Sequence, residues 1–407
     1  MVKKLFIVAG IAALSLTSSL GYSQDLVQWR GPERNGIYPA TGLLKTWPAE
    51  GPKMLWSYEG LGKGFSSVIV VGKKIYTTGQ TEGNGSLFAF DLQGKLLWKV
   101  DYGKDWNESF PGTRTTPTYY KGNLYLLTAL GDAICFNAET GKKIWNVDIK
   151  AKFGPSSPMW GLVESPLVDE TKVYFSPGTT TTSMVALNRL TGETVWKSAS
   201  IGEVPSYNTP TFYTYKNKKY IVGALSKSLY GVDASDGTVL WKIPQVSGNT
   251  INPNTPIYKD GQIFSTTGYK GGSLLLTLSD DGKSVTQVWH NATLDSQTGA
   301  AVWVGNYIVG SGQTDKSWQA LDPKTGNVLF QTTELGRGVV ISADGLLYLY
   351  ADNGDLGLVE LNDKGFSVKS KFKINLGTDQ HWAHPVIDNG VLYVRHGNAL
   401  MAYSIKK

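Results

Sequence analysis

Short apolar stretches separated by polar turn residues run the length of this 407-residue chain. They come in sets of four. In one set, "TPTYY", "NLYLLTA", "DAICFNA" and "KKIWNVD" read as four strands, and no long stretch of the chain carries helical periodicity. The last stretch of each set ends in an aromatic ring: Trp98, Trp145, Trp196, Trp241, Trp289, Phe330 and Phe372. The steps between them are 47, 51, 45, 48, 41 and 42 residues, and Trp56 precedes the series by 42. Four short strands repeated every roughly 40–50 residues predict a β-propeller.

The hairpin before each ring has its own chemistry. Asn137/Gly141, Asn188/Gly192, Asp233/Gly237 and Asp322/Gly326 bracket one turn, and Asp91/Gly94, Ser279/Gly282 and Asn362/Gly365 bracket a turn one residue shorter. The Asx or Ser side chain can bond the backbone just ahead, and the glycine supplies a positive φ. Glycine and ring are four residues apart in five units and seven apart in those ending at Trp289 and Phe372, which implies a bulge or a longer turn there. A flat ring on the outermost strand can fill the gap between two twisted sheets, so these aromatics are assigned to docking between blades.

Seven complete blades follow, over 66–101, 115–148, 164–199, 208–244, 254–291, 298–333 and 336–375. The C-terminal "HPVIDNGVLYVRHGNALMAYSIKK" supplies three strands of an eighth, and "KMLWSYE" near the N-terminus supplies the missing outer one. The expected fold is all-β: an eight-bladed propeller of four-stranded blades, closed by pairing of N-terminal and C-terminal strands. Seven blades with a separate N-terminal hairpin is the fallback. The organisation expected is a signal peptide over 1–23, an extension over 24–51 and the propeller over 52–407.

The first residues change the compartment. Lys3 and Lys4 precede an apolar run from Leu5 to Leu16, and Gly21 and Ser23 stand at plausible cleavage positions. The run is too short for a membrane span and reads as a signal of the signal peptidase I type, with no cysteine for lipid attachment. An exported protein, periplasmic or secreted, is expected. The formal charge of +6 falls to +4 without Lys3 and Lys4, too mild for nucleic-acid binding. The single Cys135 forbids an intrachain disulfide and, between Ile134 and Phe136, reads as a small buried hydrophobe.

The turn pattern A-x-D-x-x-T-G-x-x-x-W, nearest in "ALDPKTGNVLF" and "GVDASDGTVLW", resembles the repeat of the pyrroloquinoline-quinone (PQQ)-like propellers. The segment "QWRGPERNGIYPATGLLKTWP", residues 28–48, looks like the leader of a secreted bacterial subfamily. The resemblance covers essentially the whole chain after the signal. It implies either a quinoprotein alcohol dehydrogenase that binds PQQ and calcium, or a cofactor-free propeller like the subunit of the outer-membrane β-barrel assembly machinery. The repeat does not choose between them.

In a propeller, the loop leading into each innermost strand lines one mouth of the central channel. The x-Pro steps Thr116-Pro117, Ser165-Pro166, Thr209-Pro210, Thr255-Pro256 and His384-Pro385 set the phase. Just before them, or their equivalents, stand Arg114, Glu164, Tyr207, Asn208, Asn254, Gln297, Arg337, His381 and Trp382. With Trp160 from a long loop and His384, these are the candidate ligand-binding residues. Glu164, Asn208 and Asn254 share one phase in three successive blades. They resemble the Glu, Asn and Asp that hold calcium in the dehydrogenases, which makes them a possible calcium-type site. Asn254, however, cannot take a proton as an Asp base does, and one cysteine cannot form an adjacent-cysteine pair. His381 and His384 share a loop without a visible third metal ligand. No Ser-His-Asp arrangement, phosphate loop or Cys-x-x-Cys-His haem site stands out.

The leading expectation is a non-catalytic exported binding or scaffold module for proteins or glycans of the cell envelope, a monomer without cofactor, nucleic acid or membrane span. The loops at 101–114 and 150–161, rich in Trp, Phe, Pro and Gly, supply contact residues. The alternative is a PQQ-dependent alcohol dehydrogenase-type oxidoreductase working with calcium at the channel mouth.

Overall fold

A computed structural model describes residues 25–154 and 158–407; the expected signal peptide lies outside them. The chain forms eight sheets in a ring, each an antiparallel meander of four successive strands in seven of the blades. Blades 1 to 7 span 69–104, 118–148, 167–197, 211–244, 257–291, 301–332 and 338–373. Blade 8 takes Val386–Asp388, Val391–His396 and Ala399–Ser404, and its outer strand is Met54–Tyr58. The pairing Met54↔Tyr403 and Tyr58↔Leu400 closes the ring as the sequence predicts. One five-residue helix, Ile149–Phe153, is the only α-helix among the described residues.

The Trp–Gly repeat has a single physical cause. The ring of one blade's outer strand lies under the turn glycine of the next blade. A Cβ on Gly94 would meet the Trp56 ring, one on Gly141 the Trp98 ring, one on Gly237 the Trp196 ring and one on Gly326 the Trp289 ring. The glycines are thus needed twice, for their positive φ and for the seat of the indole. Each of these rings also donates its Nε1–H to a carbonyl of the same turn: Trp56 to Leu92, Trp98 to Glu139, Trp145 to Arg189, Trp196 to Ala234 and Trp289 to Pro323. Trp241 departs from the pattern. Its Nε1 is buried without a partner, and Gly282 of the next blade packs on Tyr215 instead. At the seam, Gly51 of the N-terminal extension covers Phe372 and takes the place of blade 8's turn glycine.

The spacing of seven before Trp289 and Phe372 comes from a longer hairpin, not from a bulge. Leu276 to Leu278 extend the ladder of blade 5, and Val359 to Asn362 extend that of blade 7. All eight blades carry a bulge between the third and outer strands, beside the aromatic in seven and at Leu358/Val359 in blade 7, so its presence does not distinguish these two.

The x-Pro steps have a second use. The N–H of Ser67 donates to Thr116 Oγ1, that of Thr116 to Ser165 Oγ, and that of Ser165 to Thr209 Oγ1. Ser67 Oγ donates to the His384 carbonyl, so this belt of side-chain bonds crosses the closure seam from blade 8 to blade 4. The buried Arg395 of blade 8 reinforces the seam by donating to carbonyls of Ser66 and Thr78 in blade 1.

Candidate functional site

The central channel is filled by the chain's own N-terminal segment. Leu26–Val27 pairs antiparallel with the innermost strand of blade 2, Leu26 opposite Tyr120 and Val27 opposite Tyr119. Because Tyr120 ends that strand, the segment enters at the end of the channel opposite the mouth. It turns at 30–36, where the Gly36 N–H donates to the Arg30 carbonyl and the Arg34 N–H to the Gly31 carbonyl. It leaves beside the innermost strand of blade 7, with Ile37 opposite Ser342 and Tyr38 opposite Ala343 in a parallel pair. Two sheets thereby gain a fifth strand on the channel side.

The tip of this plug is cationic and dry. Arg34 is 1% exposed. It donates to Gln28 Oε1 at 2.6 Å, to the Ser165 carbonyl at 2.9 Å and to the Pro166 carbonyl at 2.5 Å. Arg30 donates to the Ala301 carbonyl at 2.6 Å, and its Nε and Nη1 have no partner. Burial pulls Arg34 down to about 9 and Arg30 to about 10. A guanidinium in either place remains charged at neutral pH.

The residues expected to gather at the mouth divide into three sets. Glu164, Asn208 and Asn254 are buried and turned toward the protein. Asn208 accepts from and donates to the Ala224 backbone. Asn254 donates to the Thr266 and Ser296 carbonyls and accepts from the Ala300 N–H. Glu164 Oε2 accepts from the Ser176 N–H, and Oε1 is buried without a partner. All three side chains clip the start of an innermost strand to the end of the strand beside it. Burial pushes Glu164 up to about 8, against the Ser176 bonds and the Arg34 charge, so its carboxyl is mostly neutral at pH 7. Among the described residues, no three His, Cys, Asp or Glu side chains form a metal-ligand set.

The second set faces the mouth. Gln297, Arg337 and Trp382 line one cavity of about 90 Å³, with Thr298, Ser311, Gln313, Gly338 and Asp352. Trp382 packs on Phe65 at 5.0 Å and on Phe110 at 5.2 Å. Arg114 lies over the Phe65 and Trp106 rings and donates to the Ser109 and Phe110 carbonyls, which holds that loop in place. Burial pulls Arg114 down to about 10, with Asp105 and Tyr207 drawing it back.

The third set stands apart. Trp160 and Tyr207 pack at 5.4 Å, and the Trp160 N–H donates to the Tyr207 hydroxyl. They line a groove of about 310 Å³ with Pro158, Met159, Val204, Pro205 and Ile251. Met159 is 72% exposed and Val204 53%.

The two histidines of the "DQHWAHP" loop take different partners. His381 shares a hydrogen bond between its Nδ1 and the Tyr350 hydroxyl at 2.5 Å and stacks at 3.6 Å on His396, which is distant in sequence. Burial, His396 and Lys373 pull His381 down to about 4. His384 meets the edge of Trp29 in the plug and points Nε2 at the Thr298 carbonyl. Burial and the Arg30 charge hold it neutral. The plug was the functional feature that phase arguments missed. Its trace in the sequence is Gly31 and Gly36, both at positive φ, bracketing a turn between two arginines.

The profile of the family described as outer membrane protein assembly factor BamB matches residues 39–176 and 83–332. Quinoprotein alcohol dehydrogenase PedH of Pseudomonas putida is 26% identical over 243 residues, covering 58% of this chain and 35% of that protein. Outer membrane protein assembly factor BamB of Kangiella koreensis is 28% identical over 191 residues, covering 46% of this chain and 44% of that protein. The chain thus spans less than half the length of both curated relatives. Among solved structures, BamB from Moraxella catarrhalis superposes with a TM-score of 0.64 at 15% identity, over 87% of this chain and 99% of its own. A quinohemoprotein alcohol dehydrogenase from Pseudomonas putida HK5 superposes with 0.63 at 13%, over 92% and 79%. These structural likenesses show the fold alone.

Proposed function

This chain belongs to the outer membrane protein assembly factor BamB family of PQQ-like propellers, and from that premise we propose that it is a non-catalytic, exported module that binds protein partners of the cell envelope. The observation that carries the reading is the filled channel. Residues 25–38 occupy the space a channel ligand would need, which leaves the loop faces for binding. The exposed groove around Met159, Trp160, Val204 and Tyr207 supplies apolar and aromatic contact area of the kind protein interfaces use. Among the described residues, no helix is long and apolar enough to cross a membrane.

What weighs against the dehydrogenase alternative is the fit of PQQ and calcium. Ligand sites for molecules of cofactor size run from about 300 Å³ upward. The mouth cavity holds about 90 Å³. Of the calcium-type set, Glu164 is the single carboxylate and turns Oε2 to the Ser176 N–H, and both amides are committed to backbone groups. A hard cation is held by several charged oxygens, and this set offers at most one carboxylate.

The test uses a photo-crosslinking residue at position 204 in protein exposed to its native envelope. We expect one dominant crosslinked species, at least about ten-fold weaker when Met159→Asp is added, since a buried charge at an apolar contact costs well over 1.4 kcal/mol. In parallel, the unmodified protein with added PQQ and calcium should leave a redox dye unreduced by simple alcohols. Alcohol-dependent dye reduction would overturn the proposal.

A further inference from the structure

We propose that the mouth cavity beside Trp382 is a binding site for one neutral sugar ring. The reading is independent of the envelope-protein proposal, because the cavity shares no lining residue with the groove at Met159. It stands on the hydrogen-bonding capacity left over after the cavity's own side chains have bonded one another. Arg337 Nε is bound to Asp352 Oδ2 at 2.9 Å, and Nη1 reaches the Gln313 carbonyl, which leaves Nη2 and Asp352 Oδ1 free. Gln313 Oε1 accepts from the Tyr269 N–H at 2.6 Å, so its Nε2 is the free end. Gln297 Nε2 donates to the Tyr269 hydroxyl at 2.7 Å, so its Oε1 is free. Trp382 Nε1 has no partner among the described residues.

The residues that line this small cavity therefore carry three unused donors and two unused acceptors. A hydroxyl is both donor and acceptor, so a ligand with several hydroxyls satisfies such a mixed set better than a pure donor or acceptor does. The Arg337–Asp352 pair cancels its own charge, which gives no preference to an anion or a cation. Trp382, packed on Phe65 and Phe110, brings an aromatic ring to the cavity lining, against which the C–H side of a pyranose can rest. The volume of about 90 Å³ is smaller than a whole pyranose, so the cavity would take one edge of a single ring and leave the rest of the ligand in the open mouth. Two sources share this chemistry, a free monosaccharide and the terminal residue of a glycan.

Saturation-transfer NMR on the purified protein separates them. The probes are D-glucose, D-galactose and N-acetyl-D-glucosamine, then maltotriose, lactose and chitotriose, with acetate as the anionic control. We expect transfer to ring protons of at least one sugar and none to acetate. Transfer to a monosaccharide assigns the free form; transfer only to one end ring of an oligosaccharide assigns the glycan end. Trp382→Ala should weaken binding about five-fold or more, the size of an aromatic contact of about 1 kcal/mol. Trp382→Phe should recover part of it, which shows that the loop is intact and that the ring face matters. Transfer to no sugar, equal binding by Trp382→Ala, or stronger transfer to acetate than to any sugar overturns the proposal.

Discussion

Removing residues 24–58 is expected to abolish the cooperative unfolding of this protein and to leave an aggregating chain. Three losses coincide. Blade 8 loses its outer strand, so the backbone of Ala399–Ser404 becomes an open sheet edge. The innermost strands of blades 2 and 7 lose the partners that pair with them in the channel. The carbonyls of Ser165, Pro166 and Ala301 lose the guanidinium donors of Arg34 and Arg30 and face a hollow lined with polar groups. The unpaired edge is the gravest of these, because it can pair with another molecule as readily as with its own ring. Differential scanning calorimetry of the truncated chain checks the result. A transition as sharp as that of the full chain, at the same temperature, would show that closure rests on other contacts.

The second large effect is expected from Trp145→Ala. Its indole packs beside Tyr125, lies under Gly192 of the next blade and donates to the Arg189 carbonyl at 3.0 Å. It is 9% exposed, and the truncation leaves a cavity between two sheets whose separation is fixed by the ring as a whole. A cost of about 3–5 kcal/mol is expected. Trp382→Ala, in a half-exposed mouth loop, should cost clearly less. Urea denaturation of the two variants compares them directly, and equal midpoint shifts would contradict the assignment of Trp145 to docking and Trp382 to the mouth.

The blades were readable because the forces that build them are local and repeated. A glycine at positive φ, a capped turn and a ring four residues on recur at nearly constant distance, and each unit solves the same packing problem. Phase along the strands was readable too, because the x-Pro step marks the start of each innermost strand. Phase places a residue at a height in the channel wall, however, and does not say what its side chain faces. Glu164, Asn208 and Asn254 stand at the expected height, yet their side chains satisfy backbone groups of the neighbouring strand. The plug was hidden for another reason. Arg34 bonds Ser165 and Arg30 bonds Ala301, separations of 131 and 271 residues, and nothing near the two arginines in sequence marks them as buried. His396 joined His381 across a distance that a loop motif cannot express.

The propeller fills its own channel with residues 25–38. Native-state amide hydrogen exchange tests this most directly, because the ladder bonds at Val27 and Tyr38 and the turn bond of Gly36 lie inside the ring. If the segment is part of the folded core, these amides exchange only when the blades themselves open, with protection matching that of the blade strands. Exchange over 25–38 at the rate of an unstructured peptide, beside protected blades, would contradict the account.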